Sequence, residues 1–105
     1  MPGSGQVAPA VVVVQGRVDA SNAPELMQRI RTASESMPSR LVVDLGQVSY
    51  ISSSGLRVLL LAHREQLSAG AELLLTNVPP KIMRILTMAG FDQVFRIGHL
   101  ATPSA

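Results

Sequence analysis

The stretch from Leu41 to about Ala69 limits what this chain can fold into more than any other. It opens on Leu41-Val42-Val43-Asp44-Leu45, the most hydrophobic strand candidate, and closes on a long apolar helix candidate from Leu56 to about Ala69. Between them lies Val48-Ser49-Tyr50-Ile51-Ser52-Ser53-Ser54-Gly55, which ends in three serines and a glycine. Strand, small-residue loop and helix start make a place where negative charge is welcome. The first N–H groups of a helix lack intrahelical partners, and the macrodipole adds partial positive charge there. A serine at that point can cap the helix, contact a bound phosphate or carry a phosphate itself.

The rest of the chain supplies further units of the same kind. Val11-Val12-Val13-Val14 is β-branched throughout and reads as a buried strand that runs through Gly16-Arg17-Val18-Asp19 into a turn. Asn22 reads as a helix N-cap, with Pro24 in the first turn and Glu25 as capping-box partner. Leu26, Ile30, Ala33 and Met37 then fall on one helical face, and Pro38 stops the helix. Gly70 ends the second helix and Leu73-Leu74-Leu75 is a third strand. A short helix opens at Pro79-Pro80, with Ile82, Ile85, Leu86 and Ala89 on one face and Gly90 as its stop; Val94-Phe95-Arg96-Ile97 is a last strand. This β-α-β-α-β-α-β order predicts an α/β fold: a mostly parallel or mixed sheet of about four to five strands, packed with three to four helices. One domain over residues 1–105 is expected, with 1–9 a tail or weak edge strand and 98–105 a C-terminal tail.

Composition removes several function classes. Aromatic residues make up 3% of the chain and its nine basic residues are scattered, so neither base stacking nor a basic track for nucleic acid is expected. No apolar run approaches the roughly 20 residues of a membrane span, and Met1–Gln6 lacks the basic-then-apolar order of a signal peptide. There is no cysteine, hence no disulfide or thiolate site. The expectation is a cytoplasmic domain with no cofactor, no metal site and no membrane or nucleic-acid partner. Enzymatic chemistry finds no support in the motifs. Ser52 stands where a nucleophile elbow needs glycine, and Gly3-Ser4-Gly5 lacks the lysine of a phosphate loop. Of the two histidines, His63 reads as a core or boundary residue and His99 lies in the tail. Asp19, Asp44 and Glu65 are isolated and read as turn or surface residues.

At about 100° per residue, Leu56, Leu59, Leu60, His63 and Leu67 form the core stripe of the second helix. Val58, Leu61, Glu65 and Ser68 fall near Ser54 on the opposite face, flanked by Arg57 and Arg64. Two readings stand for Val58 and Leu61: cover by the first helix, or an exposed apolar docking patch beside a modifiable serine.

In order, Gly16-Arg17-Val18-Asp19, Ala23-Pro24-Glu25-Leu26, Leu41–Leu45 and Val48–Leu56 resemble a STAS domain, and more narrowly the bacterial anti-sigma factor antagonists. Ile85-Leu86-Thr87-Met88-Ala89-Gly90-Phe91-Asp92 resembles that family's last helix and its glycine stop. The likeness runs from about residue 11 to 97. In these antagonists an Asp-Ser-Ser-Gly motif carries the phosphorylated serine directly before glycine, which is Ser54 here; Ser53 matches the preceding serine, and Ser52 replaces the aspartate. Taken with the outer face of the second helix and the first helix start, the resemblance gives an expected partner surface of Asp19, Asn22, Ser52, Ser53, Ser54, Gly55, Arg57, Val58 and Leu61. It also implies a partner switch without catalysis. The unphosphorylated protein, a monomer when free, binds an anti-sigma factor that is a serine kinase of the GHKL ATPase type. Phosphorylation of Ser54 breaks the complex, and a metal-dependent phosphatase of the PP2C type restores it. Two alternatives remain beside this expectation: an accessory subunit of a secretion, stress or lipid-transport ATPase complex without phosphate control, and direct nucleotide or anion binding at Ser52–Gly55.

Overall fold

The computed structural model describes residues 9–98. Strand β1 (Ala10–Val18) leads to helix α1 (Ala23–Ser34), strand β2 (Arg40–Ile51), helix α2 (Ser53–Ser68) and strand β3 (Glu72–Thr76). Helix α3 (Pro80–Met88), a 3-10 turn at Phe91–Gln93 and strand β4 (Arg96–Gly98) follow. The four strands lie in the order β1-β2-β3-β4, and every neighbouring pair is parallel. This is the expected α/β architecture.

The strands place alternate side chains on one face, and Val12, Val14, Leu41, Val43, Leu45, Leu73 and Leu75 face the helices there. Leu26 and Ile30 of α1, Leu56 and Leu59 of α2, and Ile82 and Leu86 of α3 complete the same cluster. Val12 and Val14 are buried but Val11 and Val13 are exposed, so the four-valine run is half-buried, not wholly buried. It lies at the end of the strand order with its second face open.

β2 is much longer than the five residues its apolar run suggested. Its pairing with β1 shifts between Val13 and Gln15 and again between Gly16 and Arg17, each time with an extra residue on β2. The shifts return Val48 and Ile51 to the core face, so the strand continues to the serines and the loop shrinks to Ser52 alone. α2 accordingly begins at Ser53, three residues earlier than expected.

Three further expectations are corrected. α1 ends at Ser34, before Pro38, and Met37 lies beyond it with φ 53° and 76% of its surface exposed, so it is no part of the helical face. Leu67 is exposed near the end of α2, and the inner face there is completed by Ala62 and Gln66. Gly98, expected to open the 98–105 tail, belongs to β4; the rest of that tail, with His99, and residues 1–8 of the expected 1–9 tail lie outside the described residues. Gly70 and Gly90 both take φ 79°, as the helix ends they were read to mark require.

Candidate functional site

The site is built where β1 and β2 end together. The Ser52 N–H donates to the Val18 carbonyl at 2.8 Å and fastens the start of α2 to the end of β1. Ser52 is the N-cap: its backbone is extended, and its hydroxyl accepts from the Gly55 N–H at 3.4 Å. Gly55 is buried beneath the first turn. A Cβ there would stand 2.7 Å from both Val18 Cγ1 and Ile51 Cγ1, so glycine lets the helix sit directly on the strand ends. Ser52 and Gly55 therefore hold the site in shape. Gly55, expected on the partner surface, has no exposed face to offer.

Ser53 and Ser54 occupy the first two positions of α2, the former exposed and the latter half-buried. Together with Arg57 and Val58 they line one side of a concavity of about 320 Å³. Ala20, Ala23 and Pro24 form the other side, from the turn after β1 and the start of α1. The small size of these three residues leaves the Ser54 side chain room. They were not singled out from sequence, although the run Ala20-Ser21-Asn22-Ala23-Pro24 is visibly poor in bulk.

The turn that carries this wall is tied by side chains. Asp19 accepts from the Ser21 hydroxyl at 2.6 Å and from the Ser21 N–H at 3.0 Å. The Ser21 hydroxyl first, and its N–H second, hold the Asp19 carboxyl below its ordinary range. Asn22 sits at the N-cap position but does not cap. Its Oδ1 accepts from the Asp19 N–H at 2.9 Å and its Nδ2 donates to the Arg17 carbonyl at 2.8 Å. With Oδ1 already taken by the Asp19 N–H, Asn22 does not reach the Glu25 N–H, and the expected capping box does not form. Asn22 is a brace of the turn that positions Asp19 and Ala20.

The outer face of α2 divides. Val58 is 7% exposed and belongs to the core cluster, so the docking patch expected there is overturned in favour of cover by α1. Glu65, two turns further along the same face, pairs with Arg31 of α1 at 2.7 Å, which marks how closely α1 lies along it. The guanidinium holds the Glu65 carboxyl below its usual range, and the carboxylate raises Arg31. Leu61 is 40% exposed and stays at the surface. Arg57 is exposed and, unlike Arg17, Arg31, Arg40 and Arg96, makes no ion pair among the described residues.

His63 lies at the core boundary with its ring edge-on to Phe95 at 5.6 Å between centroids; its Nδ1 is buried without a partner. Asp44, read as a turn or surface residue, lies inside β2, and its carboxylate accepts from the Gly46 N–H at 2.9 Å. Among the described residues no three histidine or acidic side chains cluster as metal ligands, and no helix is long and apolar enough to cross a membrane.

The chain is similar throughout to known proteins. A family model described as "Mlab, STAS domain" matches residues 4–100. A STAS-domain containing protein of Pseudomonas aeruginosa is 35% identical over 89 residues, covering 82% of this chain and 84% of that protein. BtrV of Bordetella bronchiseptica, which carries the name of an anti-sigma factor antagonist, is 32% identical over 89 residues, covering 85% and 77%. Among solved structures, an anti-sigma factor antagonist from Mycobacterium paratuberculosis superposes with a TM-score of 0.76 at 28% identity, covering 96% of this chain and 82% of that one.

Proposed function

The chain belongs to the STAS-domain family, and from that premise we propose that it is an anti-sigma factor antagonist switched by phosphorylation of Ser54. The observation that carries the reading is the setting of Ser54. Its side chain lies at the second position of α2, half-exposed on a concavity, while Ser52 is engaged as the cap. The names of the Bordetella and Mycobacterium relatives support the same role.

The unphosphorylated protein binds its anti-sigma factor through the concavity, Arg57 and Leu61, with the Asp19 turn at its edge. Binding frees the sigma factor in the cytoplasm, and this chain catalyses nothing. The anti-sigma factor is a GHKL-type serine kinase. Its ATP donates the γ-phosphoryl group to the Ser54 oxygen, ADP leaves, and the hydroxyl proton passes to the kinase. A PP2C-type phosphatase removes the group as inorganic phosphate.

Phosphate adds about −1.5 to −2 charges at a helix start, where the dipole favours them, so the fold survives. The penalty falls on the interface, as charge and bulk that the partner must desolvate. A loss of about 4 kcal/mol there weakens binding roughly 1,000-fold.

The test is a native pull-down with wild type, Ser54→Ala and Ser54→Asp as baits. Wild type and Ser54→Ala are expected to retain a GHKL-type kinase and Ser54→Asp to lose it, with all three melting within a few degrees of each other. Equal retention by Ser54→Ala and Ser54→Asp would sink the switch.

A further inference from the structure

We infer that a phosphate on Ser54 is captured by the guanidinium of Arg57 in the same chain, so that modification also withdraws this arginine from the partner surface. The inference rests on the reading of Ser54 as the modified residue. Three observations and one rule of helix geometry carry it. Ser54 and Arg57 line the same concavity. They are three residues apart on α2, a spacing that puts Cβ atoms about 5–6 Å apart. Long helical side chains lean toward the helix N-terminus, which directs Arg57 back over the turn that holds Ser54. Arg57 is exposed and has no ion pair among the described residues, so none of their carboxylates competes for it.

The surroundings favour the pair. The first turn of α2 contains no acidic residue, and Ser52 stands at the N-cap with its hydroxyl already bonded to the Gly55 N–H. No carboxylate on that turn opposes an incoming dianion. Asp19, across the site, is bound to Ser21 and lies 3.9 Å from Arg17. Ala20, Ala23 and Pro24 leave space for the added phosphate on the α1 side. Two parallel N–H···O bonds from a guanidinium to phosphate are short and charge-assisted, and a lysine supplies only a point charge. The captured Arg57 is then no longer free to meet an acidic group on the partner.

The test installs phosphoserine at position 54 during synthesis, so that no kinase is needed. The second ionisation of the phosphate is followed by phosphorus NMR in the otherwise wild-type protein and in Arg57→Ala, Arg57→Lys and Arg64→Ala backgrounds. Arg64 is an exposed cation further along the same helix and controls for its general field. The phosphate is expected to ionise below its ordinary pKa of about 6 in the wild-type background. Arg57→Ala should raise that value by about half a unit or more, Arg57→Lys should restore part of it, and Arg64→Ala should leave it in place. Equal values with and without Arg57, or an equal shift on removing Arg64, would overturn the inference. Because the phosphate is supplied synthetically, a phospho-protein that still holds its kinase defeats the switch alone and leaves the Arg57 result standing.

Discussion

Single residues decide whether α2 can begin where it does. Gly55 is the sharpest case, because its missing Cβ is what lets the helix rest on Val18 and Ile51. Both neighbours are buried core residues with little freedom to retreat. Gly55→Ala gains helix propensity worth about 1 kcal/mol but forces a contact that real Cβ atoms do not make. Overpacking of this kind costs about 1–3 kcal/mol, so the net effect is a loss, read as a lower urea midpoint with an unchanged slope. A midpoint at or above wild type would mean that the strand ends yield. Sequence carried the importance of Gly55 but not its direction. It reads as part of the partner surface, and only the approach of Val18, from a strand more than thirty residues earlier, shows that it packs inward instead. Asn22 shows the same limit. Its cap chemistry is legible, yet Arg17 and Asp19, both earlier in the chain, take both ends of its amide, so the Glu25 N–H goes without a side-chain cap.

At the scale of elements, the strand–helix alternation was legible throughout, since β-branched runs and glycine stops act locally. The extent of β2 was not. Gly46 and the two shifts against β1 break the period-two pattern after Leu45, so Val48 and Ile51 look like loop residues until the pairing is seen. Ties between elements are also invisible to local pattern, and the Arg31–Glu65 bridge between α1 and α2 is one of them. Arg31 lowers the Glu65 pKa in the folded state, so the native protein binds fewer protons there than the unfolded chain. Its contribution is present above the ordinary carboxylate range and is lost as pH falls through the lowered folded value. Asp19, lowered by Ser21, acts in the same direction. The side chains of Arg31 and Glu65 are 53% and 41% exposed, and a screened surface pair of this kind contributes only about 0.5 kcal/mol. Glu65→Gln is therefore expected to cost about that much at pH 7 and to shallow the acid limb of a stability–pH curve, with no difference from wild type once Glu65 of the wild type is protonated in both folded and unfolded states. Parallel curves for the two proteins would show that the bridge contributes nothing.

The whole molecule decides what a helix face means. Ser54, Val58, Leu61 and Glu65 share one side of α2, and in isolation that side is simply the one away from the core stripe. The β-α-β crossovers then bring α1 beside α2 on the same face of the sheet, and α1 covers Val58 and pairs with Glu65 while leaving Leu61 open. One stripe is thus divided into packing and surface by an element some thirty residues away, which no periodicity within α2 encodes. The division makes an opposed pair of outcomes. Val58→Glu places an unpaired carboxylate among Leu26, Ile30 and their neighbours, a change that costs about 3–5 kcal/mol and leaves much of the protein unfolded at 37 °C. Leu61→Glu, on an exposed site, should melt within about 0.5 kcal/mol of wild type, because water still solvates the charge. It should nevertheless weaken capture of the proposed anti-sigma factor by about tenfold or more, since an apolar contact is replaced by a charge the partner must desolvate. Circular dichroism melts and a binding titration on the same two proteins separate the cases. If Leu61→Glu folds normally and binds as wild type, the partner does not reach past Arg57, and its contact is confined to the concavity that Ser54 shares with Ala20, Ala23 and Pro24.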